Sequence, residues 1–139
     1  MIILDTNVIS SLMREPADEV VQRWLDQQPR TSVWITAITM LEIRLGLEVM
    51  ADGRRKLERE EALSRLIDEK LERRIASFDA AAGRETAALM SSGQRQGEPR
   101  DLRDSMIAGI AIARRAALAT HNVQHFDDAG IKVVNPSHG

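Results

Sequence analysis

The sequence predicts an α/β fold, three α/β/α layers around a mostly parallel central sheet, and three observations lead there. Short apolar runs of strand length alternate with segments of helical period along the whole chain, which is the pattern of strands joined by crossover helices. The chain opens on such a run, Ile2-Ile3-Leu4, and drives it straight into the turn-forming Asp5-Thr6-Asn7, as a buried strand ends. A late segment, Met106 to Ile112, is apolar on nearly every side, so its helix belongs at the centre of the molecule.

Taken in order, residues 2–4 form the first strand, and helices follow near 7–13 and 18–27. A second strand at 33–35 enters a helix that carries Glu42 and runs to about Met50, where Asp52-Gly53 breaks it. Over residues 54–74, Leu57, Leu63, Leu66, Ile67 and Leu71 keep helical spacing among many charges, the pattern of an amphipathic surface helix. A short strand at 75–78 precedes an alanine-rich helix over 79–94, and Gly93, Gly97 and Pro99 mark the loop after it. The Asp104 helix and strands at 117–119 and 132–134 complete the alternation. No repeat, low-complexity tract or interdomain linker interrupts it, so residues 1–139 read as a single domain, long enough to bury a core.

Three carboxylates stand out against this frame. Asp5 lies at the end of a buried strand, where an unpaired charge is costly and where open α/β sheets place their ligand crevice. It also suits the N-cap of the helix that follows. Glu42 shares one helical stripe with Ile38 and Leu45 and so points where apolar residues point. The competing explanation is a buried ion pair with a neighbour such as Arg44, although Arg44 faces elsewhere on the helix. Asp104 heads a stripe continued by Ile107, Ala108, Ala111 and Ile112; it too could be an N-cap, after the break at Pro99.

Three inward acids in one small domain repel one another unless a cation neutralises them. A hard divalent ion, Mg²⁺ or Mn²⁺, suits carboxylate oxygens. The chain has no cysteine, and its three histidines, His121, His125 and His138, read as loop or tail residues without the helical spacing of a zinc site. Asp5 and Asn122 both follow strands, so right-handed crossovers bring them to one edge of the sheet.

Composition narrows the class further. The net charge of −2 argues against a broad basic nucleic-acid surface, so any such contact rests on local cations: Arg14, Arg44, Arg54, Arg55, Lys56, Arg95, Arg100 and Arg103, each also explicable as solvated charge. No apolar stretch reaches membrane-spanning length and no basic leader precedes an apolar segment. The expected location is cytoplasmic.

Four segments carry a family resemblance: Leu4-Asp5-Thr6-Asn7-Val8-Ile9-Ser10; Ile35-Thr36-Ala37-Ile38-Thr39-Met40-Leu41-Glu42-Ile43-Arg44-Leu45-Gly46; Asp104-Ser105-Met106-Ile107-Ala108; and Ala119-Thr120-His121-Asn122-Val123-Gln124-His125-Phe126. In this order they resemble PIN-domain ribonucleases, most of all the VapC and FitB toxins of bacterial type II toxin–antitoxin pairs, down to the closing Val134-Asn135-Pro136. The match spans nearly the whole chain, and its specificity lies in four motifs in order rather than in any one.

The resemblance implies a PIN-like α/β/α fold that binds Mg²⁺ or Mn²⁺ and hydrolyses RNA phosphodiester bonds through a metal-activated water, with no covalent intermediate. It makes Asp5, Glu42 and Asp104 the metal-binding acids and Thr120 and Asn122 the last site motif, with Thr6, Asn7 and Thr120 on the substrate side. It also implies a homodimer and a larger hetero-oligomer with a small VapB/FitA-like antitoxin, for which Trp24, Leu47 and Met50 would supply apolar anchors if they do not simply finish the core. The chain departs from the strictest pattern at Asn122, where that pattern has an acid, and at His125, where many relatives have an acid before the Phe. Asn122 could ligate a metal or hold its water, or be only a turn residue after the strand.

Two rival classes remain. A phosphoacceptor receiver domain also gathers acids at strand ends, but it needs paired acids early and a lysine after a late strand, and Lys132 is poorly placed for that. A catalytically silent PIN-like binding module is compatible with the missing charge at Asn122.

Overall fold

A computed structural model describes residues 1–138. Five strands form one sheet, all neighbours parallel: β1 (Ile2–Leu4), β2 (Val33–Thr36), β3 (Ile75–Ala76), β4 (Ala117–Ala119) and β5 (Val133–Val134), in the order β3-β2-β1-β4-β5. Six helices connect them: α1 (Thr6–Met13), α2 (Glu19–Asp26), α3 (Ala37–Glu48), α4 (Arg54–Arg65), α5 (Ala80–Arg95) and α6 (Leu102–Arg114).

Successive residues of β1 serve opposite faces of the sheet, as strand geometry requires. Leu4 packs with Val8, Ile9, Trp24, Leu47 and Leu63 from α1 to α4, whereas Ile3 packs with Ile107, Ile110, Leu118 and Phe126 on the side of α5 and α6. These two apolar clusters are the outer layers meeting the sheet. Burying each such Leu or Ile contributes about 1.5–3 kcal/mol, so the first strand is held from both faces.

The strand order reverses direction between β1 and β4. Chain connections leave β1 toward β2 on one side and arrive at β4 on the other, which opens a crevice at the carboxyl ends of these two strands. Register places it: Leu4 pairs with Ala119, and the Asp5 N–H donates to the Ala119 carbonyl at 2.9 Å. Asp5 and Thr120 therefore face each other where both strands end.

Several expectations are corrected. Trp24 and Leu47 are core residues, 6% and 4% exposed, because the amphipathic α2 and the end of α3 turn their apolar sides onto the sheet; only Met50 remains partly exposed. Among the described residues the exposed large apolar side chains are Leu41, Leu45 and Val49 along and just after α3, with Met1, Val20, Leu57 and Leu102 elsewhere. Leu57 thus leaves the buried stripe it was placed on. The helix expected over 54–74 ends at Arg65 and continues as a π-type turn, Leu66–Lys70, which keeps Leu66, Ile67 and Leu71 inward. The third strand is two residues long because Asp79 caps α5, its carboxylate accepting from the Ala82 N–H at 2.9 Å.

Candidate functional site

Asp5 is the floor of the crevice. It is 4% exposed and keeps two hydrogen bonds: Oδ1 accepts from the Thr6 N–H and Oδ2 from the Thr120 hydroxyl, each at 2.8 Å. The first bond caps α1, so Asp5 is the N-cap of that helix, while its other oxygen turns to the end of β4. Thr120 is the hub. Its oxygen donates to Asp5 and accepts from the Asn7 amide at 3.3 Å and from the Asn122 N–H at 3.0 Å, which uses the one hydrogen and two lone pairs a hydroxyl has. Asn7 completes the bridge between α1 and the loop after β4, its amide oxygen accepting from the His121 N–H at 3.2 Å.

Thr6 links this floor to α3. Its hydroxyl donates to Glu42 Oε1 at 2.8 Å and lies 2.9 Å from the Thr39 hydroxyl, which in turn lies 3.4 Å from that of Thr36. Since Thr6 spends its hydrogen on Glu42, Thr39 donates to Thr6 and Thr36 to Thr39, a relay of three hydroxyls that ends on a carboxylate. Glu42 is half-buried at the rim, and its cationic neighbour is Arg103 from α6, with Nε 3.7 Å from Oε2. Arg44, the partner offered by the sequence, is exposed.

Asp104 occupies the first turn of α6 and is half-buried. It is not the N-cap. Asp101 is, accepting from the Asp104 N–H at 3.0 Å; an Asp three residues before the first inward acid was the signal for it. Across from Asp104 Oδ2 lies His125 Nδ1 at 3.6 Å. Although no histidine falls within the three acid motifs, the loop after β4 delivers one in space. His121 is not a free loop residue either: its ring meets Ser11 at 3.1 Å and Ser137 at 3.2 Å. Asn122 is exposed beside it, where cavities of about 480 and 510 Å³ adjoin.

The acids sense one another. Burial is the largest influence raising the Asp5 pKa, the bonds from Thr120 and Thr6 oppose it, and the charges of Asp104 and Glu42 add to it. Asp104 is raised by burial, then by Asp101 and Glu42, with His125 pulling the other way. Among the described residues no Lys or Arg pairs with Asp5, and no three His, Asp or Glu side chains are gathered closely enough to form a metal site as they stand. An all-oxygen, anionic set this open fits a hard divalent ion that keeps much of its water shell.

Comparison with known proteins agrees with this fold. The PIN-domain family profile matches residues 2–132. VapC ribonuclease Y4jK of Sinorhizobium fredii is 35% identical over 136 residues, 98% of this chain and 97% of its own. Toxin FitB of Neisseria gonorrhoeae is 34% identical over 138 residues, 99% of each. In three dimensions the chain superposes on a FitAB structure bound to an IR36 DNA fragment with a TM-score of 0.88 at 33% identity, covering 100% of this chain and 97% of that one.

Proposed function

The chain belongs to the PIN-domain family, and from that premise we propose that it is a Mg²⁺- or Mn²⁺-dependent endoribonuclease, the cytoplasmic toxin of a type II toxin–antitoxin pair restrained by a small cognate antitoxin. The observation that carries this reading is the buried Asp5 at the reversal of strand order, with Glu42 and Asp104 brought to the same crevice and each acid raising the cost of ionising Asp5. Asp5, Glu42 and Asp104 would hold the ion, which would offset their charge and supply an acidified water for attack on a phosphodiester. The chain's own groups do the rest. Thr6 orients Glu42, Thr120 orients Asp5, Arg103 keeps a cation at the rim for a phosphate, and Asn122 supplies a neutral oxygen at the open side of the crevice.

The similarity to FitB, found in FitAB assemblies, supports an antitoxin partner and a homodimeric toxin within a larger complex. The surface offered to such a partner is the exposed Leu41, Leu45 and Val49 stripe with a groove of about 360 Å³ beside it, lined by Met13, Met50, Arg59 and Glu42 among others. Apolar stripes of this spacing receive amphipathic helices, and an Arg from the same partner could pair with Glu42 at the groove's end.

A silent binding module is the second reading, favoured by the uncharged Asn122. Purified protein incubated with RNA in Mn²⁺, Mg²⁺ or chelator separates the two. Metal-dependent cleavage is expected, and sequencing the new RNA ends after brief induction identifies the target; intact RNA in every metal leaves the module.

A further inference from the structure

We propose that Arg100 is a positioning residue of the crevice: by bridging the α5–α6 loop to the loop after β4, it holds His125 opposite Asp104 and, through His125, the backbone of Asn122. The inference rests on the nuclease reading above for its consequence, but on geometry for its substance.

The Arg100 guanidinium reaches two separate points of the later loop. Nη1 donates to the His125 carbonyl at 3.1 Å and Nη2 to the Asp128 carboxylate at 2.5 Å, and this bond holds the Asp128 pKa below its usual range. The side chain is only 17% exposed. Its stem crosses Gly93 so closely that a Cβ there would lie 3.2 Å from Arg100 Cγ and 2.8 Å from the Glu98 carbonyl, so the glycine makes the cradle. The next residue, Asp101, governs the other wall: its carboxylate caps α6 at Asp104, and its carbonyl accepts from the Ser105 N–H and hydroxyl at 3.0 and 2.7 Å. Two adjacent residues therefore fix the two sides across which His125 and Asp104 stand 3.6 Å apart. Within the loop, the His125 N–H donates to the Asn122 carbonyl at 3.0 Å, so a shift of His125 carries Asn122 with it. A cavity of about 440 Å³, lined by Arg100, Asp104 and His125 among others, opens between these walls.

The same side chain is a poor device for stability alone. Arg100 Nε is buried with no hydrogen-bond partner, a cost that an apolar side chain of similar length would not incur. Asp128, half-exposed, would simply rehydrate if released. What only a guanidinium provides is a rigid fork spanning two acceptors, which a lysine ammonium cannot reproduce.

The test uses the whole protein with Arg100→Met, which keeps the stem, and Arg100→Lys, which keeps the charge. Hydrogen exchange of the amides at 122–128 should accelerate about tenfold or more in both, with β1 and β4 protection and Tm preserved. RNA cleavage in Mn²⁺ should lose about ten- to a hundredfold in kcat, with KM nearly unchanged. In a His125→Ala background, Arg100→Met should cost less than in wild type, since the part of its effect that runs through the His125 ring is already gone and only the shift of Asn122 remains. Unchanged exchange at 122–128, uniform loss of protection with a lowered Tm, full rescue by lysine, or fully additive losses with His125→Ala would each overturn the proposal. If the wild-type protein cleaves no RNA, the nuclease reading fails separately, and the exchange measurement still decides whether Arg100 holds the loop.

Discussion

Asp5 and Asp104 both hold their protons more tightly than ordinary carboxyls, and the sign of that shift fixes how the metal-free protein responds to pH. A folded pKa above the unfolded one stabilises below the unfolded value and is lost as pH rises through the folded value. In chelator, the contribution of these two groups should therefore decline as pH climbs from the ordinary carboxylate range through the raised pKa values, and Mn²⁺ should restore it near neutrality. Subtracting the melting profile of Asp104→Asn from that of wild type isolates one group. The variant should be more stable at neutral pH, equal at low pH, and inactive on RNA; wild-type activity would remove Asp104 from the site. Asp5→Asn should gain less, because its amide would turn a donor toward a Thr120 hydroxyl that already accepts two hydrogen bonds. Asn122 presents the opposite case, an exposed neutral group. Asn122→Asp should tighten Mn²⁺ binding in calorimetric titration, and Asn122→Ala should reduce cleavage less than loss of Asp5; identical affinities for all three forms would place the side chain off the ion.

Among the elements, α5 and α6 approach each other through Gly109. A Cβ there would lie 2.0 Å from Thr86 Oγ1 and 2.8 Å from the Ala82 carbonyl, and Thr86 is itself tied to the Ala82 carbonyl at 2.7 Å. Gly109→Ala should cost about 1–3 kcal/mol in denaturant unfolding, only partly recovered by Thr86→Ala because the carbonyl remains. At the far end of α6 the exposed Arg115 adopts φ 53°, so Arg115→Gly should stabilise by about 0.5–1 kcal/mol. The elements show what the sequence could reveal. Period and punctuation located the β1 turn, the α3 helix and the apolar α6, because those signals are local. Asp101 as the true cap is a local bond to the Asp104 N–H and was legible three residues ahead of it; Arg103 as the partner of Glu42 and His125 beside Asp104 were hidden, because each contact depends on how α6 and the last loop lie across the sheet. Leu57 and the early end of α4 were missed for the same reason: helical spacing alone does not say where a π-type turn rotates the stripe.

For the whole molecule, burial separates two apolar populations that look alike in sequence. Trp24 completes the core, so Trp24→Glu should unfold the protein and report nothing about partners. Leu45, 49% exposed on α3, is the informative position. Leu45→Glu should leave the melting temperature nearly unchanged while weakening co-purification with the product of the neighbouring gene; undiminished pairing would place the partner on another face.

The strand order also sets when the crevice can exist during synthesis. β1 emerges before both of its neighbours and is central in the finished sheet, yet one of them, β4, begins at Ala117, and the Thr120 hydroxyl that steadies Asp5 comes later still. Asp5 and Thr120 are 115 residues apart, so at translation speeds of about 5–20 residues per second the growing chain carries Asp5 unpaired on that side for on the order of ten seconds. A nascent or truncated chain stopping before Thr120 is thus expected to be inert toward the RNA that surrounds it, so the order of synthesis itself withholds the proposed activity until both walls of the crevice are made.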